Sequence, residues 1–349
     1  MNIAFVGGGA IGLLGALWMR SLGHAVVVYE AGAVGGGAMS AAAGILGAEA
    51  ECSEPGEQLR EFLRARSMWK HFATQCGADL GFVPSGVLRF GRLEDAQSFG
   101  RIAAFQQRLG AAPQLLDAAT VHERWPWTSE DLHVALWHRD DAQLEPRKLL
   151  AYLSSTLRAL GVQIAEGLPA PTMQELTERF DDVVVTAGVA SSTLLPEIRT
   201  VPVRGQLLEK HGAPAGKRPV LYDQHTYALS RGDGRVVVGA TAEWGRTELA
   251  PQEDAARTLE RIAHRLWPDL AMLPTVRSWA GLRPFLDGGP QIRRVGPKCM
   301  VATGHYRNGI LLALQAGEQI AIELGALAPE PAPERAVDAL QTRLSALLA

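Results

Sequence analysis

The chain has 349 residues, 47% of them hydrophobic and 20% charged, with a formal net charge of −3. This length and apolar content allow two domains with real cores, and the absence of a basic excess excludes a protein that works by neutralising nucleic-acid phosphates. Three cysteines, Cys52, Cys76 and Cys299, form no CxxC pair, so neither a disulfide framework nor a metal site is expected.

Residues 3–19 are apolar enough to resemble a secretory signal core. No Lys or Arg precedes them, and Gly7, Gly8, Gly9, Gly12 and Gly15 interrupt them. They are also short for a membrane span, so a cytoplasmic protein without a membrane segment is expected. Residues 3–6 read as a buried strand, and Gly7-Gly8-Gly9-Ala10-Ile11-Gly12 fits GxGxxG. Residues 13–22 read as a helix ended by Gly23, and residues 25–29 as a second strand terminated by Glu30. Strand, glycine turn, helix, strand and acid in this register form a dinucleotide-binding unit. The glycines allow backbone to approach a pyrophosphate, and the helix N-terminus offers unpaired N–H groups. Glu30 would accept hydrogen bonds from a ribose diol, which argues against the 2′-phosphate of NADP; this unit alone does not separate NAD from FAD.

The following run, Gly35-Gly36-Gly37-Ala38-Met39-Ser40-Ala41-Ala42-Ala43-Gly44-Ile45-Leu46-Gly47-Ala48, has neither strand nor helix period. Small side chains there would let backbone approach something large and flat, as an extended FAD is. A helix is predicted over 56–75. Residues 81–90 read as a strand pair around a Pro-Ser-Gly turn, 93–109 and 117–125 as helices, 135–138 as a strand and 143–159 as a helix. A short strand follows at 162–165. Residues 180–188 read as a buried strand, with three valines before Thr186-Ala187-Gly188, returning to a parallel sheet. Residues 201–208 start another strand system, 225–229 and 235–240 read as a hairpin, 252–267 as a helix, and 334–348 as a peripheral helix.

Near the C-terminal end, Arg283 and Arg307 each lie in apolar sequence, where a buried guanidinium needs an anion and its fork of donors suits a carboxylate. Asn308-Gly309-Ile310 opens an apolar helix running to about residue 324. His225 and Tyr227, two apart on a predicted strand, share a face. Together these features point to a redox cofactor opposite a small carboxylate.

Gly7-x-Gly9-x-x-Gly12 with Glu30, Ser40 to Ala48, Thr186-Ala187-Gly188, Val201-Pro202-Val203-Arg204-Gly205-Gln206, Trp279-Ala280-Gly281-Leu282-Arg283-Pro284 and Gly304-His305-Tyr306-Arg307-Asn308-Gly309-Ile310 carry a family likeness. Through them nearly the whole chain resembles the FAD-dependent D-amino acid oxidase superfamily, in particular the glycine oxidases of thiamine biosynthesis. The resemblance implies an α/β (α+β) fold, with a Rossmann-like FAD-binding domain (1–80, 143–200 and 276–349) interleaved with a mixed-sheet substrate domain (81–142 and 201–275). It implies non-covalent FAD held by Gly7, Gly9, Ala10, Ile11, Gly12, Glu30, Ala31, Ser40, Ala42, Ala43, Gly44, Ile45, Leu46, Ala187, Gly188 and the stretch from His305 to Ile310. It further implies that Arg283, Tyr227, Arg307 and His225 face a small amino acid. Arg283 would pair with the carboxylate, and the helix from Asn308 would point at the pyrimidine end of the flavin. Oxygen is the expected acceptor, and a homo-oligomer is allowed for. Sarcosine, an N-methyl amino acid or a larger D-amino acid is the alternative substrate. A tRNA-modifying flavoenzyme is disfavoured by the acidic net charge.

The chain departs from the family pattern at Leu314, where relatives usually carry Pro, and at Arg293, close to the expected flavin end. It departs also at Ala242, where a bulkier Met is common and whose small side chain would widen the substrate pocket. The stretch between Glu166 and Phe180 lacks the strand pair that relatives use.

Overall fold

A computed structural model of the chain describes residues 1–167, 170–223 and 226–349. His225 therefore lies outside the described residues. Strand β1 (Asn2–Val6), helix α1 (Ala10–Ser21) and strand β2 (Ala25–Glu30) form the N-terminal unit. Ile3, Ala4 and Phe5 are wholly buried, as expected for a parallel strand covered on both faces, where an unbroken apolar run replaces alternation. β1 lies between β2 and Asp182–Val185, parallel to both, with Ile3 opposite Asp182 and Val6 opposite Val185. The three-valine segment thus returns to the central sheet. Gln163–Glu166 extends that sheet beyond β2. Cys299–Thr303 and then Gln291–Gly296 extend it on the other side, the last strand antiparallel.

A second, mostly antiparallel sheet has nine strands among the described residues. Its order runs Glu243–Trp244, Val201–His211, Arg235–Gly239, Thr226–Ser230, Val220–Asp223, Val87–Gly91, Val134–His138, Gln114–Asp117. Thr275–Phe285 pairs along the other edge of Val201–His211, with Gly281 opposite Gly205 and Arg283 opposite Val203. This corrects the expected boundary at 276, because Thr275–Phe285 belongs to the second sheet. We propose that the nucleotide unit resumes after Phe285. A bridge from Phe285 to His305 then ties the second sheet to the loop after Cys299–Thr303.

α1 is apolar on every side because helix Gly309–Glu323 and a further helix, Pro146–Ala159, pack over it. The Trp18 indole N–H donates to the Leu314 carbonyl at 3.1 Å. Leu314 is buried within this helix. The segment expected as a strand pair at 81–90 contributes one strand, Val87–Gly91, while Val83 makes only an isolated bridge to Gln143. A short helix, Met173–Arg179, fills the stretch before Phe180. No helix among the described residues is long and apolar enough to cross a membrane.

Candidate active site

One cavity of about 340 Å³ runs from Gly9 and Glu30 to Tyr227, Arg283 and Arg307, within the size range of small-molecule sites. At its nucleotide end, Gly7 has φ +118°, and a Cβ there would stand 2.5 Å from the Thr186 carbonyl oxygen. The turn thus both needs the left-handed region and brings two backbones together. The Thr186 hydroxyl donates to the Gly7 carbonyl at 2.8 Å, fixing that approach. The α1 N-cap, Gly9, supplies no side-chain hydrogen bond, and nothing lies within 4 Å of where its Cβ would stand. Helix N–H groups therefore face open space lined by Gly9, Ala10 and Ile11, a setting suited to a phosphate anion. Glu30 accepts the N–H groups of Gly8 (2.8 Å) and Gly32 (2.9 Å), which fixes its carboxylate at the cavity edge. The residues present fit a dinucleotide.

Ala42, Ala43, Gly44 and Ile45 line the middle of the cavity, as do Ala187 and Gly188 opposite. Four residues expected at the cofactor do not line it. Gly12 lies beneath it, where a Cβ would meet the Gly7 carbonyl oxygen at 2.0 Å. Leu46 is core, Ala31 is exposed, and the exposed Ser40 donates to the carbonyls of Gly36 and Gly37. The whole stretch from His305 to Ile310 does line it, and Asn308 caps Gly309–Glu323 without a side-chain hydrogen bond. A second uncapped helix N-terminus thus faces the same space.

At the other end, Arg283 lies flat on the backbone of Val201–His211. A Cβ at Gly205 would stand 2.2 Å from an Arg283 Nη, so only glycine leaves room for the guanidinium. Arg283 Nη1 donates to the Thr241 carbonyl at 3.0 Å, and among the described residues no carboxylate forms an ion pair with it. Burial pushes its ionisation below the ordinary arginine value, Tyr227 opposes this and Arg307 adds to it. Tyr227 is buried, its phenol pushed up to about 12 by burial against the opposing pull of Arg283 and Arg307. It is therefore a neutral hydrogen-bond donor at neutral pH.

Arg307 faces the same cavity but carries its own acid. It donates to Glu51 Oε1 at 3.1 Å and to the Tyr222 hydroxyl. The Tyr222 hydroxyl donates to the same Glu51 oxygen at 2.7 Å. Burial would lower the Arg307 value, yet Glu51 and Tyr222 hold it above the ordinary range. Tyr222 and Tyr227 are opposite residues on adjacent strands, and their rings stack at 6.4 Å. Glu51 and Tyr222 were not foreseen. An acid three residues past the small-residue run was the available signal for Glu51; Tyr222 gave none beyond a tyrosine in an apolar strand. Ala242 is exposed and does not line the cavity; Leu249, farther along the same segment, does. Arg293 is exposed and donates to Gln291.

His305 is buried, and burial lowers its imidazole from 6.5 to about 4. The unfolded chain therefore binds a proton between these values that the folded chain refuses. The stabilisation is complete above pH 6.5 and is lost as pH falls toward 4, on the order of 3 kcal/mol in all. Thermal midpoints measured from pH 7.5 to 4.5 should fall more steeply in the native protein than in His305→Gln, and parallel curves would refute this.

A family model described as FAD dependent oxidoreductase matches residues 2–322. The chain belongs to that family. This FAD dependent oxidoreductase is 32% identical over 340 residues to the glycine oxidase of Bacillus licheniformis, covering 90% of each chain. It is 28% identical over 347 residues to that of Bacillus subtilis (strain 168), again covering 90% of each. Among solved structures, glycine oxidase from Geobacillus kaustophilus superposes with a TM-score of 0.86 at 26% identity, over 94% of this chain and 95% of that one. FAD is thus the dinucleotide that the uncapped helix ends and glycine-lined wall accommodate.

Proposed function

We propose that this chain oxidises glycine, or a similarly small primary or secondary amino acid, to an imine that water hydrolyses to a 2-oxo acid and ammonia or, from a secondary substrate, the corresponding primary amine. One observation carries this reading: the Arg283 guanidinium, half-buried and without a carboxylate partner among the described residues, faces the cavity that holds the nucleotide end. A buried fork of donors is best satisfied by a carboxylate. Arg283 would bind that carboxylate, and the Tyr227 hydroxyl would donate a further hydrogen bond to it. Arg307 is committed to Glu51 and so leaves one carboxylate site rather than two. Bound FAD supplies the acceptor for the hydride that leaves Cα, with oxygen as final acceptor, so that substrate, oxygen and water give 2-oxo acid, ammonia and hydrogen peroxide; glycine would give glyoxylate. Tyr227 is protonated and Glu51 is held by Arg307 and Tyr222, so in this reading neither serves as base and the amine loses its proton to solvent. Positioning by Arg283 then provides the protein's main contribution to rate.

Anaerobic mixing of the purified holoenzyme with glycine should bleach the visible flavin absorption. Absorption that persists with glycine but bleaches with sarcosine or D-alanine would move the substrate to those amines; persistence with all three would refute the reading. Tyr227→Phe removes a hydrogen bond to a charged group, about 1.5–3 kcal/mol. KM is expected to rise roughly 10- to 100-fold with a smaller change in kcat, and an unchanged KM would remove Tyr227 from the carboxylate.

A further inference from the structure

We propose that Arg204, which does not line the cavity, is a positioning residue for the carboxylate-binding end. In this reading residues 241–252 form a strap folded around its guanidinium, and the strap sets where Arg283 and Leu249 stand. The inference rests on the carboxylate-binding role of Arg283 given above.

Arg204 is wholly buried in Val201–His211. Its Nε donates to the Glu248 carbonyl at 2.6 Å, Nη1 to Glu243 Oε1 at 2.5 Å, and Nη2 to the Ala250 carbonyl at 2.8 Å and to Gln206 Oε1 at 3.0 Å. Gln206 extends the grip, donating to the Gln252 carbonyl at 2.8 Å and accepting the Gln252 N–H at 2.7 Å. The strap has only the two-residue strand Glu243–Trp244 of its own, and most of its residues are exposed. Pairing of Glu243–Trp244 with Val203 and Arg204, and the Trp244 ring against Phe285 and Tyr306, hold its start; beyond Arg246 it leans mainly on these bonds. A buried guanidinium that holds two backbone carbonyls one residue apart, those of Glu248 and Ala250, fixes the path of a chain, which is a different task from pairing charges at a surface.

Two consequences reach the cavity. The Thr241 hydroxyl donates to Glu243 Oε1 at 2.7 Å and accepts the Gln206 N–H at 2.9 Å. The Thr241 carbonyl in turn accepts from Arg283, so hydrogen bonds run without a break from Arg204 through Glu243 and Thr241 to Arg283. Leu249 lies between the two carbonyls that Arg204 holds and contributes an apolar side chain to the cavity wall.

The test uses the FAD-loaded enzyme and acetate, a carboxylate without an amine, whose binding is followed by perturbation of the flavin spectrum. Trypsin cleavage after Arg246, on the exposed part of the strap, reports its opening. Arg204→Lys keeps the charge but cannot reach the same carbonyls. In this variant cleavage should accelerate roughly tenfold, and the Kd for acetate and the KM for glycine should rise at least about tenfold, while kcat falls less than about threefold. A variant with full FAD content that is cut at the native rate and binds acetate as tightly as the native protein overturns the proposal, leaving Arg204 a fold anchor. If Arg204→Lys does not fold, acetate affinity of Glu243→Gln decides in the same way, weakened binding supporting the strap and native binding overturning it. Should the native enzyme leave glycine untouched, cleavage rate and acetate affinity still decide, so failure of the substrate reading is separable.

Discussion

Arg283→Ala is expected to raise KM for glycine by a factor between about 30 and several thousand, corresponding to the roughly 2–5 kcal/mol lost when one partner of a buried charge pair is truncated. The half-buried guanidinium lies against Gly205, donates to no carboxylate among the described residues, and spends one N–H on Thr241. Its remaining donors are left for a ligand, and alanine removes them all. Arg283→Lys should recover part of the loss, since a single ammonium restores the charge without the fork. The FAD content of both variants should match the native protein, because the nucleotide end is built from Gly7, Gly9 and Glu30 on other elements. Steady-state kinetics with glycine, beside the flavin spectrum, check both parts. An unchanged KM in a fully loaded Arg283→Ala enzyme would end the carboxylate assignment.

The nucleotide end was legible because its signals are local. Asn2 to Glu30 span one strand, one turn, one helix and one strand, and the motif is complete within that stretch, although the close approach at Gly7 also needs the distant Thr186. The return of Asp182–Val185 was legible for a related reason: three valines before a small-residue turn have few places to go except a buried parallel strand. What the sequence hid depends on distant partners. Thr275–Phe285 carried a recognisable motif, yet its membership of the second sheet rests on pairing with Val201–His211, some seventy residues earlier. The same holds for Glu51, whose importance appears only when Tyr222 and Arg307 arrive from two other elements. By their residues alone Arg283 and Arg307 looked equivalent, each a cation in an apolar stretch, and only the family resemblance favoured Arg283 for the carboxylate. The fold separates them by giving Arg307 a carboxylate and Arg283 a backbone carbonyl.

That separation leads to the second large effect. Glu51→Leu takes the carboxylate from a largely buried guanidinium and a buried phenol, and should cost about 2–5 kcal/mol of stability. Urea titration at fixed FAD concentration would show it as a lower midpoint. Glu51→Gln keeps the shape and isolates the charge. Arg283 and Arg307 then share the cavity without the charge of Glu51, and a unit charge inside a protein acts on another at the order of 1–3 kcal/mol. Acetate, which carries no amine, should bind roughly tenfold more tightly to Glu51→Gln than to the native enzyme. A substrate ammonium loses a stabilising neighbour in the same variant, so its proton leaves more readily and the rising acid limb of kcat should move to lower pH. Acetate affinity and the pH profile therefore test one electrostatic argument from two directions. If acetate binds Glu51→Gln no better than the native protein, Glu51 does not set the charge that a substrate meets, and its place beside Arg307 is structural.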